Sequence, residues 1–156
     1  MIQLRDLSVA DMEEIRGWPP YPPEFSDLDY ALRHNGWLDE FGSRADTWCY
    51  AGEDAGELIA FVILSKTGGS EAEFRLALRA DRIGQGVGAE IIPLALERAA
   101  GLGFTRMHLI VRKTNPRAYR LYTRMGFAKR GECSREINGK RVLFTLMDLL
   151  IKRRKG

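Results

Sequence analysis

A chain of 156 residues, 45% of them hydrophobic and 29% charged, has the size and composition of one globular domain with a single core. No apolar run reaches the ~20 residues that span a bilayer, and the N-terminus MIQLRDLSVADMEE has no basic stretch leading into an apolar one, so neither a membrane span nor a secretory leader is expected. The net charge of +3 conceals a split: residues 1–56 hold twelve Asp/Glu against four Arg, and residues 57–156 hold twenty Lys/Arg against nine Asp/Glu. Such a split is either two solvated faces or an acidic region for a cationic partner beside a basic region for an anionic one.

Taken in order, residues 2–7 alternate apolar and polar and predict a strand. Ser8, with Asp11 three residues on, caps a helix running to about Arg16. Gly17 and the prolines 19, 20, 22 and 23 force an irregular loop. Residues 26–41 predict a second helix, broken near Asn35-Gly36. Residues 47–52 and 57–65 pair as a hairpin around Glu53–Gly56, and KTGGS turns the chain into a fourth strand at 71–79. That strand runs into RIGQGVGAE, after which 87–100 forms a helix that Pro93 should bend and Gly101 and Gly103 close. A fifth strand covers 106–111. Asn115 and Pro116 open another helix, which Gly126 ends. Residues 127–137 and 140–150 close the chain as a hairpin on Asn138-Gly139. The sequence therefore predicts one mixed α/β domain over residues 1–151, with residues 152–156 as a basic tail that carries Lys152, Arg153, Arg154 and Lys155.

Cys49 and Cys133 lie far apart without metal-ligand spacing and are expected as reduced thiols of a cytoplasmic protein. His34 and His108 are the only histidines, so no metal site is expected. The basic tail lacks aromatic interleaving, and no recognition motif marks a nucleic-acid surface.

Gly84, Gly86 and Gly88 let the main chain approach a ligand closely just where a helix presents free N–H groups and a positive dipole end, which predicts a phosphate site. Gly84-x-Gly86-x-x-Ala89 fits the dinucleotide fingerprint, but 104–112 offers only Arg106 and Arg112 where an acidic ribose ligand belongs. No Lys-Ser/Thr pair follows the glycines, so a P-loop is excluded.

Residues 71–127 resemble the GCN5-related N-acetyltransferase (GNAT) superfamily. NPRAYRLYTRMGF matches the pattern N-x-x-A-x-x-L-Y-x-x-x-G-F at Asn115, Ala118, Leu121, Tyr122, Gly126 and Phe127. The loop matches Q/R-x-x-G-x-G/A at Gly86 and Gly88, with Ile83 at the leading position and Arg82 one residue early. The resemblance implies a mixed, mostly antiparallel sheet of about seven strands, flanked by helices and splayed between strands 4 and 5. It implies acetyl-CoA as cosubstrate. Main-chain groups of Ile83, Gly84, Gln85, Gly86, Val87 and Gly88 would hold the pyrophosphate, and Arg82, Arg117, Arg120 and Arg124 are candidates for the outer phosphates. Main-chain groups of Ala77, Leu78 and Arg79 would pair with the pantetheine arm, which Asn115 could also contact.

By the same resemblance Tyr122 is the general acid for the leaving thiolate, with a core tyrosine as the alternative, and a donor near Leu78 serves the oxyanion. Glu71 and Glu73, on one face of strand 4, are the candidate bases. The implied activity is direct transfer of an acetyl group to a primary amine in a ternary complex. The charge of the first third, with Glu24, Asp27 and Asp29, favours a small cationic acceptor. A protein N-terminus or lysine, or a CoA-binding module without turnover, are the alternatives. The acceptor side is expected from residues 8–46 and the closing hairpin, and Trp18, Tyr21 and Phe25 either wall an acceptor pocket or fix the proline-rich loop onto the core. A homodimer is a family-level expectation.

Overall fold

The computed structural model describes residues 1–151; the expected basic tail lies outside the described residues. The chain runs Ile2–Asp6 (β1), Val9–Arg16 (α1), a 3-10 segment Pro23–Leu32, Trp37–Phe41 (α2), Thr47–Asp54 (β2), Glu57–Gly68 (β3) and Glu71–Leu78 (β4). A 3-10 turn Ala80–Arg82 then leads to Val87–Gly101 (α3), Arg106–Arg112 (β5), Pro116–Arg124 (α4), Ala128–Ile137 (β6) and Lys140–Leu150 (β7). The strands form one seven-stranded sheet in the order β1-β2-β3-β4-β5-β7-β6.

Every neighbouring pair is antiparallel except β4 and β5. Those two are parallel and touch over three residue pairs, Glu71–Arg106, Ala72–Met107 and Glu73–His108. Beyond Glu73 and His108 they separate, so the sheet is open at its middle. The splayed, mostly antiparallel architecture expected from the sequence is the one observed.

Local chemistry sets the element ends. The Ser8 side chain accepts from the Asp11 N–H at 3.1 Å and Asp11 accepts from the Ser8 N–H at 2.8 Å, a reciprocal cap that satisfies two orphan donors of α1. The Arg5 guanidinium bonded to Asp11 holds that carboxyl down to about 2. Asn115 caps α4 through the Ala118 N–H at 3.1 Å, with Pro116 in its first turn. Asn138 and Gly139, with φ of 52° and 76°, form the turn that joins β6 to β7. α3 continues through Pro93, which sits on its exposed side.

Two stretches differ most from the sequence prediction, while β2 runs on to Asp54. β3 extends to Gly68, leaving a shorter turn before β4. The stretch 26–41 breaks at Asn35, whose φ is 62°, as expected, but its first part is a 3-10 segment rather than an α-helix. Tertiary tethers hold that segment. Arg33 forks onto Asp29 and donates to the Arg16 and Trp18 carbonyls at 2.8 and 2.7 Å.

The sheet is covered on both faces. One core joins α3 to Ile59, Val62, Leu64, Phe74, Met107 and Leu109, with α4 packed against it. The other joins Ile15, Trp18, Leu32, Leu38 and Phe41 to Phe61, Ile63 and Ala77. By the period of two, β4 sends Phe74, Leu76 and Leu78 to the α3 face, and Glu73, Arg75 and Ala77 to the α2 face.

Candidate active site

The three glycines of the loop answer two different demands. Gly84 and Gly86 both have φ of 81°, left-handed backbone that L side chains rarely adopt. Gly88 is helical and buried; a Cβ there would meet Leu121 Cδ2 at 2.6 Å, so its bareness lets α3 and α4 approach closely. Gly86 precedes α3 without a side-chain cap, which leaves the N–H groups of the first turn of α3 without intrahelical acceptors. The Ile83 N–H donates to the Ala80 carbonyl at 3.3 Å, and the Gln85 side chain donates to the Asp81 carbonyl at 2.9 Å. The loop's free donors therefore begin beyond Ile83. Arg117 reaches over the loop, with Nη1 2.6 Å from where a Cβ on Gly84 would stand.

β4 supplies a second set of main-chain groups. The Arg79 N–H donates to the Ile59 carbonyl at 2.8 Å, which fixes the phase of the β3–β4 ladder. Bonding alternates along an antiparallel pair, so Ala77 and Arg79 turn their polar groups to β3, and Leu76 and Leu78 turn theirs toward the splay. The Leu78 carbonyl accepts from the Tyr21 hydroxyl at 2.6 Å. Burial pushes that phenol well above its ordinary value.

Two cavities meet in the splay. The first, of about 380 Å³, is lined by Leu76, Ala77, Leu78, Ile83, Gly84, Gly86, Val87, Gly88, Asn115, Arg117 and Arg124, with Tyr21 and Phe25 as its outer wall. The second, of about 460 Å³, runs from Glu73, Arg75, Ile110 and Arg112 to Tyr30, Asn35, Trp37 and Glu40, and is closed by the tip of the β6–β7 hairpin. Leu28, Trp37, Leu76, Asn115, Ala118 and Tyr122 line both. Tyr122 stands at this junction, edge-on to Phe74 at 6.4 Å and to Phe127 at 5.8 Å between ring centres. Burial alone raises its phenol to about 12.

The remaining candidates sort by position. Arg79 and Gln85 do not line the first cavity. The Arg79 guanidinium is bonded to Asp81 and Glu57, and Arg82 to Asp54 and Glu57 at 3.2 Å each. Arg120 is exposed on α4 and lines neither cavity. Glu71 is exposed at the closed end of the splay, 3.5 Å from Arg106, and also lines neither. Glu73 lines the second cavity, bonded to Arg75, whose guanidinium lies 4.3 Å from the Phe41 ring centre and 5.5 Å from that of Trp37. Trp18 is buried against Phe61 and fixes the proline-rich loop to the core, whereas Tyr21 and Phe25 face the first cavity.

Much of the acidic charge of the first third is bound in ion pairs: Asp11 and Glu53 with Arg5, Asp39 with Arg16, Asp29 with Arg33 and Asp54 with Arg82. The second cavity does draw its walls from residues 8–46 and the closing hairpin, but sequence reasoning singled out none of Tyr30, Asn35, Trp37, Glu40 or the tip residues Arg135–Asn138. Only Arg75 carried a signal, since it shares a strand face with Glu73. Among the described residues, no group of three His, Cys, Asp or Glu side chains could hold a metal ion, and no helix is long and apolar enough to cross a membrane.

The model of the acetyltransferase (GNAT) family matches residues 9–127. No curated protein matches the sequence. Solved structures do. A spermidine N-acetyltransferase SpeG chimera from Vibrio cholerae and hSSAT is 25% identical, over 96% of this chain and 95% of that one, with a TM-score of 0.74. The spermidine N-acetyltransferase from Vibrio cholerae in complex with CoA and spermine is 23% identical, over 96% and 95%, with a TM-score of 0.74. A putative phosphinothricin N-acetyltransferase is 20% identical, over 98% and 100%, with a TM-score of 0.78.

Proposed function

This chain belongs to the acetyltransferase (GNAT) family, and from that premise we propose that it moves an acetyl group from acetyl-CoA, held in the first cavity, directly to the primary amine of a small molecule in the second. The observation that carries this reading is the single tyrosine at the junction of the two cavities. Acetyl-CoA supplies the acetyl group as a thioester. The free N–H groups at the start of α3 and the Arg117 guanidinium suit its pyrophosphate. The main-chain groups of Leu76 lie on an open strand edge that suits the amides of the pantetheine arm. Arg124 lines the same cavity and suits an outer phosphate, and Asn115 caps α4 beside it.

Tyr122 gives the leaving sulfur a hydrogen bond. A phenol near 12 is a weaker acid than a thiol near ~8.5, so it stabilises the developing thiolate chiefly as a donor rather than by full proton transfer. The Leu78 N–H, on the splay side, serves the carbonyl oxygen. Glu73, paired with Arg75, accepts the proton that the amine loses, directly or through water. Glu71, away from both cavities, takes no part.

The small cationic acceptor keeps one support, the likeness to a polyamine acetyltransferase at 25% identity. The acidic charge of the first third no longer favours it, because so much of it is paired with arginines. The test is CoA thiol release from acetyl-CoA over polyamines, amino acids, aryl amines and short peptides. Release with an amine supports the reading. Silence across the panel from protein that binds acetyl-CoA points to a CoA-binding module instead.

A further inference from the structure

Among the described residues, the second cavity carries both signs of charge. Among the described residues that line it, Glu40, Glu73 and Glu136 are matched by Arg75, Arg112 and Arg135. Two of these arginines are built into the wall. Arg112 is 5% exposed at the end of β5, its guanidinium 5.6 Å from the Phe144 ring centre. Arg75 lies against the rings of Phe41 and Trp37 while it bonds Glu73. By strand alternation Arg75 and Arg112 lie on one face of the sheet, on opposite sides of the splay. A guanidinium packed against a ring is positioned before substrate arrives, and its planar fork of N–H donors matches a carboxylate.

We propose that the acceptor is a zwitterion of the amino-acid class, its amine directed to Tyr122 and its carboxylate held at the arginine side of the second cavity. The assignment rests on the acetyltransferase reading and narrows its substrate. A second ammonium would meet arginines as well as glutamates in a partly desolvated site, so the wall gives a polyamine no advantage. A zwitterion meets both signs of the wall. Arg75 then has two partners, Glu73 and the incoming carboxylate, and couples the base to substrate arrival. Arg135, on the exposed hairpin, adds its charge at the rim.

The test uses matched pairs of acceptors, each an amino acid and the amine left when its carboxylate is removed, with spermidine alongside. CoA thiol release gives kcat/KM for each. The expected result is that the best amino acid exceeds its decarboxylated partner by at least ~10²-fold, as a charged hydrogen-bonding site permits. In Arg75→Met that ratio should fall below about tenfold, through the acceptor KM, with acetyl-CoA affinity unchanged. Arg135→Gln, at an exposed position where folding is not at stake, should shrink the ratio severalfold. Equal or better turnover of the decarboxylated amine, or spermidine as best acceptor, overturns the zwitterion while leaving the acetyltransferase intact. Failure of every amine overturns both.

Discussion

The two cavities that meet at Tyr122 are built on different plans. The first is largely main chain: a glycine loop, the start of α3 and the open edge of β4, drawn from the stretch 76–89 with α4 alongside. The second is largely side chains, gathered from residues 28–40, 73–76, 110–118 and the β6–β7 hairpin. A site that recognises by backbone needs particular residues only where the chain must turn or approach closely. A site that recognises by side chain can be rewritten wall by wall while the first stays fixed. The difference predicts that the donor is common property of the fold and the acceptor is particular to this chain.

The sharpest way to break this comparison is the tyrosine that both cavities share. Tyr122→Phe should lower turnover by roughly 10²-fold with little change in acetyl-CoA affinity, measured by steady-state kinetics beside titration calorimetry. An unchanged rate would remove Tyr122 from the mechanism and leave it a core ring. Next, Gly88→Val should act on the donor cavity alone. Its added carbons meet Leu121, and overpacking of this kind costs about 1–3 kcal/mol. Acetyl-CoA affinity should fall about tenfold or more, and Tm by several degrees, with acceptor preference retained.

A smaller effect is expected of Tyr21→Phe, which removes the hydrogen bond to the Leu78 carbonyl. A net loss of about 1 kcal/mol, a severalfold weakening of acetyl-CoA binding and an unchanged ranking of acceptors would place this loop with the donor cavity. A changed ranking would place it with the acceptor.

The smallest effect on either cavity is expected of Asp11→Asn, at the α1 cap. It should leave both substrates' KM values unchanged and act on stability. The folded pKa of Asp11 is lowered to about 2, so its contribution is present above its unfolded value and lost as pH falls toward 2. At neutral pH the variant should be less stable by ~2 kcal/mol. The gap between the two proteins' urea midpoints should close in acid, and a gap that persists there would assign the loss to packing.

The same contrast explains what could be read from the sequence. Gly84, Gly86, Asn115 and Tyr122 were legible because backbone demands and a contiguous motif leave marks at fixed spacing. The caps at Ser8 and Asn115 and the Asn138-Gly139 turn were legible for the same reason. The phase of β4 was not, because Ala77 and Leu78 differ only in which way a ladder turns them, and one hydrogen bond to Ile59 decides it. Nor was the fate of Arg79 and Arg82, since their acidic partners come partly from the distant β2–β3 hairpin. Trp37 and Glu40 became cavity walls only when the 3-10 segment, tethered through Arg33, set α2 over the sheet. Charge summed along the chain misled where charge is cancelled in space.

One feature of the sheet bears on how the protein lives with its substrate. Its four-stranded and three-stranded halves are joined by three parallel residue pairs. In the complex proposed above, a donor lodged along the free edge of β4 would act as a guest strand in that seam and add to the stability of the fold. At a hundredfold excess over its dissociation constant such a ligand adds about 2.7 kcal/mol. Amide exchange at Leu76 and Leu78 should slow when the donor binds. Without the donor, the seam should be the first part of the sheet to open, and the same amides would read it.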